Sequence, residues 1–422
     1  MTNLLIVHIN QIATPTGESQ RHGAQMNEIS LVQDGAIYVV DDLIVNVGKT
    51  AEVLADLRKK NITDFDEVID ATGQAVVPGF VDSHTHFLFA GYRVEEFYER
   101  VSGSSYMEIM ENGGGIQATV EATREAGFEE LKKLGWRRLN EMIIQGVTTV
   151  EGKSGYGLDK ETEIRQLRVL QELAVSQPVD LAITYLGAHA VPLEFKNDSE
   201  GYLNYMIDEI LPQIKAEKLA EFVDVFCDEG VFDYQQSQKL LEAAKALGFK
   251  VKMHADEIAN LNGAELAASI EATSADHLIK ISSEEIKKLS EKQKTVATLL
   301  PCTAFCLQEN FAPARELIDK NCAVALASDY NPGSSFTCSI PLIIALASFK
   351  MKMTMGEVLT ALTLNGAAAL DIADKKGSIE VGKVADLVFL KYPDYRYLMY
   401  NTGSNVVNRV IKSGKVVFEN LG

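Results

Sequence analysis

Eight apolar, β-branched runs separated by segments of helical periodicity constrain this chain more than any other feature of its sequence. The runs are VVPGFVDSHTH (76–86), VTTVEGKSGYG (147–157), DLAITYLGAHA (180–190), FVDVFCDEG (222–230), KVKMHADE (250–257), ATSADHL (272–278), TVATLLPC (295–302) and VALASDYNPG (324–333). Strands that alternate with amphipathic helices, such as ETEIRQLRVLQELAV after the second run and YQQSQKLLEAAKALG after the fourth, pack as a parallel sheet covered by helices. Eight such units predict an α/β chain built on a (β/α)8 TIM-like barrel.

The ends of the chain read differently. Residues 1–74 hold short strand-like runs (LLIVHI, GAIYVVDDLIVNVGK, EVIDATGQ), with a hairpin turn at Asp41-Asp42. Such a unit cannot bury both faces alone. The tail supplies partners in VADLVFLK (384–391) and NVVNRVIKSGKVVFEN (405–420), the latter turning at Ser413-Gly414. The expected organisation is a discontinuous β-sandwich of residues 1–74 plus 375–422 flanking a barrel of residues 75–374.

Ionisable residues gather at the C-terminal ends of the expected barrel strands, where such barrels place their active sites. Asp82, His84 and His86 stand at every second position of the first run and so share one face. His189 closes the third run, His254 and Glu257 the fifth, His277 the sixth and Asp329 the eighth. Neutral imidazole is a good ligand for zinc or iron, and the chain has only seven histidines, so an adjacent pair after an apolar strand reads as half of a metal site. Alone, His254 reads as a core histidine; with His84, His86 and Asp329 it completes three nitrogens and a carboxylate around one point in the barrel mouth. A metal-activated water needs a base, and Glu257, three residues past His254, is placed for that task. His277 is placed to donate to, or orient, the attacked oxygen.

The net charge of -19 argues against nucleic acid or an anionic membrane surface as a partner. No apolar stretch approaches a membrane span; the strongest, IPLIIALASF (340–349), has half the length. The N-terminus lacks the basic region and cleavage site of a signal peptide, so a cytoplasmic protein is expected. Five cysteines without framework spacing suit reduced thiols, and Cys302 with Cys306 lacks the second pair of a metal site. GKS at 152–154 echoes a phosphate-binding loop, but the spacing from Gly146 is wrong for one. The glycine run Gly113–Gly115 reads as a loop over the mouth, a candidate lid.

HTH after PGF, HADE (254–257), ADH (275–277), SDYNPG (328–333) and the tail GSIEVGKVADLVFL resemble the metal-dependent amidohydrolase superfamily over nearly the whole chain. GGGI (113–116), EGKSGYGLD (151–159), YLGAHAVP (185–192) and DYNPGSS (329–335) are similar, more narrowly, to the imidazolonepropionase branch of that superfamily. The resemblance implies one zinc or iron ion on His84, His86, His254 and Asp329. FVDVFCDEG lacks the lysine that two-metal relatives carry on the fourth strand, so a mononuclear site is expected. Substrate contacts carried over motif by motif fall on Arg93, Tyr106, Tyr156, His189, Glu257 and Ser334, with Asn331 and Gly333 on the product side. The implied substrate is a small carboxylate-bearing molecule, 4-imidazolone-5-propanoate, opened to N-formimidoyl-L-glutamate by hydroxide that the metal generates. Arg93 suits the carboxylate, with Tyr106 or Tyr156 adding a hydroxyl; read without the family, Arg93 is equally a surface arginine among Glu95, Glu96 and Glu99. The family also suggests a homodimer.

Two other readings compete. One is another cyclic-amide hydrolase or aminohydrolase of the superfamily, acting on guanine, cytosine or a hydantoin; activity surviving Arg93→Ala would favour it. The other is a metal-binding barrel without catalysis, against which the placed carboxylate and oriented histidine argue.

Overall fold

The computed structural model describes residues 2–103 and 114–420 of the chain. Among these, two eight-stranded sheets organise the molecule. One is the barrel, eight parallel strands in sequential order: β6 (Phe80–Asp82), β7 (Val147–Lys153), β8 (Asp180–Ala188), β9 (Phe222–Cys227), β10 (Lys250–Ala255), β11 (Ser274–His277), β12 (Val296–Leu299) and β13 (Val324–Leu326). All eight expected runs carry one of these strands.

The ring closes just beyond the regular strands. Thr85 bridges Tyr330 in parallel, His86 N donates to Tyr330 O at 3.0 Å, and Asp329 N donates to His84 O at 3.0 Å. This seam brings the first and eighth strand ends together, although 243 residues separate His86 from Asp329. Helices cover the outside, several fixed at their start by side-chain caps. Asp159 accepts from Thr162 N ahead of the helix Lys160–Ser176, and capping boxes at Asp233/Gln236 and Ser282/Glu285 start the helices Tyr234–Ala246 and Ser283–Lys292.

The other sheet belongs to the chain ends. Its strand order is β16-β15-β14-β5-β1-β2-β3, with β4 (Glu67–Asp70) also on β1 (Asn3–Thr14). Here β2 is Ser30–Val40, β3 Leu43–Lys49, β5 Ala75–Pro78, β14 Leu387–Leu390, β15 Val407–Lys412 and β16 Lys415–Glu419. The sheet curls so that Ile44 near one edge and Ile411 near the other share a core with Ile6, Ile12, Val76 and Phe389. Helix α1 (Thr50–Lys59) covers the other face of β1 and β2 through Val53 and Leu57. Ser413 and Gly414 both have positive φ, as a two-residue hairpin turn requires.

The first expected barrel strand, 76–86, is split. Ala75–Pro78 pairs with β1 and β14 in the terminal sheet, and only Phe80–Asp82 joins the barrel. The handover is at Gly79, whose N–H donates to Asp386 O at 2.8 Å while Phe80 N donates to Gly146 O at 3.0 Å. A Cβ at residue 79 would sit 2.2 Å from Thr148 Oγ1, so the barrel's neighbouring strand comes as close as a glycine allows. An uninterrupted apolar run hides this change of partner. All five cysteines are free thiols. Among the described residues no helix is long and apolar enough to cross a membrane.

Candidate metal centre and active site

The seam and the fifth strand together deliver the expected ligand set. His86 Nε2 lies 3.3 Å from His84 Nε2 and 3.2 Å from His254 Nε2. Asp329 Oδ1 is 3.6 Å from His84 Nε2 and 3.5 Å from His86 Nε2. Ligands about 2.0–2.1 Å from a tetrahedral metal stand about 3.3 Å from one another, the spacing seen here. All four side chains are buried.

The chemistry of the donors fits a cation. His84 Nδ1 is 2.6 Å from Asp276 Oδ2, and His254 Nδ1 is 2.9 Å from Asp224 Oδ2. At His84 the hydrogen-bonded carboxylate holds the proton on Nδ1 and leaves the lone pair on Nε2, whereas His254 meets Asp224 as a close ion-pair contact. The His84 lone pair thus faces His86 Nε2, and Asp329 adds a further electron-rich atom. Burial, reinforced by nearby Lys153, holds His84 well below the ordinary histidine range; burial and the neighbouring His189 do the same for His86. Both rings are therefore neutral and able to ligate. Burial also pushes Asp329 up to about 6. Two residues here, Asp329 (φ 51°) and His277 (φ 75°), hold left-handed backbone conformations that non-glycine residues seldom adopt.

Beneath the imidazoles lies a layer of charge that the sequence reading did not anticipate. Lys153 Nζ contacts Glu151 Oε1 at 2.9 Å and Asp224 Oδ2 at 2.7 Å, while Lys252 Nζ contacts Glu151 Oε2 at 2.8 Å and Ser83 O at 2.8 Å. Both ammonium groups also approach Asp276 Oδ2, at 4.0 and 3.9 Å. All five side chains have no exposure. Burial opposes ionisation of Asp224, but His254 and Lys153 outweigh it and hold the carboxyl well below its usual range. Burial likewise opposes protonation of Lys153, and Asp224, Glu151 and Asp276 outweigh it, raising the amine. Two lysines thus meet three carboxyl groups directly beneath the candidate ligands. The signal was present in the strands: Glu151/Lys153, Asp224, Lys252/His254 and Asp276 are ionisable residues interrupting otherwise apolar, inward-facing positions.

Around the mouth, Glu257 Oε2 stands 3.5 Å from His277 Nδ1. Burial, then the charges of Asp329 and Asp228, push the Glu257 carboxyl well above its ordinary range. His189 stacks on His86 with ring centroids 4.9 Å apart, and its Nδ1 lies 3.0 Å from Gly155 O. Burial lowers the His189 imidazole to about 3. Tyr156 packs against His189 at 5.2 Å, presented by a loop whose amides at 155, 157 and 158 donate to the buried Glu163 carboxylate.

The eighth-strand loop is organised by Asn331, whose Oδ1 accepts from Gly333 N and Ser334 N at 2.8 Å each. Its Nδ2 donates to Asp329 O and Ser334 Oγ. Arg93 reaches this loop: a Cβ at residue 333 would fall 2.2 Å from Arg93 Nη1. The Arg93 side chain is only 13% exposed, and its fork is engaged by Glu96, through Nε to Oε2 at 2.7 Å and through Nη2 to Oε1. Arg100, on the helix α2 (Val94–Val101), was not singled out from the sequence. It lies 3.7 Å from Glu96 and donates from Nη2 to Gly333 O at 2.6 Å. Tyr106 and Gly113 lie outside the described residues.

A barrel with such a site at its mouth places the chain in a known class, and the match is direct: residues 75–417 fit the model of the Amidohydrolase family, and the chain belongs to that family. Within it the sequence is 54% identical to an imidazolonepropionase of Parabacteroides distasonis over 415 residues, 98% of this chain and 99% of the relative. It is 51% identical to an imidazolonepropionase of Clostridium tetani, over 99% of this chain and 98% of that one. Solved structures share the fold at lower identity. A zinc-bound adenosine deaminase from Xanthomonas campestris superposes with a TM-score of 0.73 at 20% identity, over 98% of this chain and 92% of that one. Guanine deaminase from E. coli gives a TM-score of 0.71 at 15% identity, over the full length of both.

Proposed function

We propose that this chain is an imidazolonepropionase, hydrolysing the cyclic amide of 4-imidazolone-5-propanoate to N-formimidoyl-L-glutamate in histidine degradation. One observation carries the reading: identity to imidazolonepropionases of 54% and 51% extends over 98–99% of the chain. The deaminases share the fold alone, which does not favour an aminohydrolase.

His84, His86, His254 and Asp329 are the residues to hold one zinc or iron ion; three imidazoles and a carboxylate suit both. When bound, such an ion lowers the pKa of a water to about 7 and polarises the carbonyl under attack. Glu257 accepts the water's proton and returns it to the ring nitrogen as the C–N bond breaks, so that the carbonyl carbon becomes a carboxylate and the nitrogen leaves as an amidine. His277, beside Glu257, donates to the oxygen on which negative charge grows. Tyr156 and His189 form one wall against the ring, and Asn331 fixes Gly333 and Ser334 opposite.

The substrate's propionate needs a local cation in an acidic protein. Arg93 with Glu96 is a neutral pair; Arg100 on the same carboxylate restores one positive charge beside Gly333 and Ser334. The acidic chain with free thiols supports work in the cytoplasm, and kinship to the family supports a homodimer.

The test is direct. Purified, metal-assayed protein mixed with 4-imidazolone-5-propanoate should bleach the ring's ultraviolet absorbance and yield N-formimidoyl-L-glutamate. Turnover of guanine or a hydantoin in its place would overturn the reading.

A further inference from the structure

The fourth barrel strand supplies none of the proposed metal ligands, yet two buried aspartates, Asp224 within it and Asp228 one residue past its end, are aimed at its neighbour. β9 and β10 pair in parallel with Phe226 opposite His254, so alternation puts Asp224 and Phe226 on the face that His254 shares, and Asp228 follows directly after the strand. Asp224 has no exposure and Asp228 has 1%.

Asp228 is saturated by backbone. Its Oδ2 accepts from Glu257 N at 2.9 Å and Ile258 N at 2.8 Å; its Oδ1 accepts from Ala259 N at 2.9 Å and Glu229 N at 2.8 Å. Three successive amides of the loop that carries Glu257 thus converge on one carboxylate, which suits an anion and nothing else. Asp224 Oδ2 lies 2.9 Å from His254 Nδ1 and 2.7 Å from Lys153 Nζ, and its Oδ1 accepts from Val225 N at 2.7 Å.

We propose that the fourth strand positions both groups that the fifth contributes to the reaction: Asp224 sets the ring of His254, and Asp228 sets the loop that holds Glu257 in reach of His277. Neither aspartate meets the substrate. Each acts through one neighbour, which makes the two separable: Asp224 governs metal affinity, Asp228 governs turnover. The Asp228 half rests on the role proposed for Glu257.

Asp228→Asn keeps the shape but turns an NH2 toward converging N–H donors. It should lower kcat about 10–100-fold with KM changed less than about twofold and zinc affinity unchanged. In an Glu257→Gln background the same substitution should change kcat less than about twofold, because the group it positions is already gone. Asp224→Asn should weaken zinc binding to the apoprotein about 10–100-fold in a chelator competition. Amide exchange at 257–259 should quicken in Asp228→Asn and not in Asp224→Asn. An equal loss of kcat in both backgrounds, an unchanged kcat, or native zinc affinity in Asp224→Asn would overturn the proposal. Thermal melts screen out misfolded variants, with Asp228→Ser, a smaller acceptor, as the replacement. If native holoprotein does not open the imidazolone, the functional reading fails, while zinc affinity and amide exchange still decide the positioning roles.

Discussion

Nδ1 of His84 lies 2.6 Å from Oδ2 of Asp276, joining the segment just past the first barrel strand to the sixth strand across the floor of the candidate metal centre. Both side chains are sealed from solvent. Burial pushes the Asp276 carboxyl upward, while Lys252 and Lys153 pull it back. The pair therefore depends on the two buried lysines. Asp276→Asn keeps an oxygen for the Nδ1 proton but removes the charge, so zinc affinity should fall about 10–100-fold, read by chelator competition.

Glu257 meets His277 and is not one of the proposed metal ligands. Glu257→Gln removes the proton acceptor and preserves volume, so kcat should drop about 10²–10⁴-fold. Metal content, measured by atomic absorption, should stay near that of the native protein. A native rate would remove Glu257 from the role of base.

Two guanidiniums, Arg93 and Arg100, share Glu96 next to Gly333. Replacing Arg93 by Met removes a charge-assisted contact worth about 1.5–3 kcal/mol. KM for the imidazolone should rise about 10–100-fold with kcat nearly kept. A ring analogue without the propionate should show no such difference between native and variant protein.

The sequence made the barrel legible because eight apolar runs and their helical spacers repeat one physical pattern, and polar residues at strand ends break it. His84, His86, His254 and Asp329 stood out because ionisable groups there have no packing reason to exist. Glu151, Lys153 and Lys252 were equally anomalous in apolar strands, but a single salt bridge partner is invisible without knowing which strands adjoin. The engagement of Arg93 by Glu96 was hidden likewise: three acidic neighbours along α2 gave no way to tell which one closes on the fork. The split at Gly79 was illegible because hydrophobic residues serve a terminal sheet and a barrel equally well.

That split predicts a structural weak point. A methyl at residue 79 would meet Thr148 Oγ1 at 2.2 Å and Thr148 Cγ2 at 2.6 Å, both on a β-branched side chain held within a buried strand. Gly79→Ala should cost about 1–3 kcal/mol through overpacking. Pairing it with Thr148→Ser, which removes the methyl, should recover part of that loss in denaturant titrations.

The two sheets are also tied by charge on the far side of the barrel from the mouth. Asp180, at the start of β8, pairs with Lys376 at 2.5 Å and Lys412 at 2.7 Å, and both lysines also meet Asp386. Burial opposes ionisation of Asp180, yet Lys376 and Lys412 outweigh it and hold the carboxyl below the ordinary 3.8. A carboxyl whose folded pKa is depressed stabilises the fold fully above its unfolded pKa, and that stability is lost as pH falls through the folded value. The side chain remains 45% exposed, so solvent screening reduces its worth to about 0.5–1 kcal/mol. Asp180→Asn should therefore melt about 0.5–1 °C below the native chain at pH 7. The gap should shrink as pH falls below the ordinary carboxyl range and close once pH has passed through the depressed folded value, where the native carboxyl is protonated and differs little from the amide. A gap independent of pH would show that Asp180 acts through packing and not through its charge.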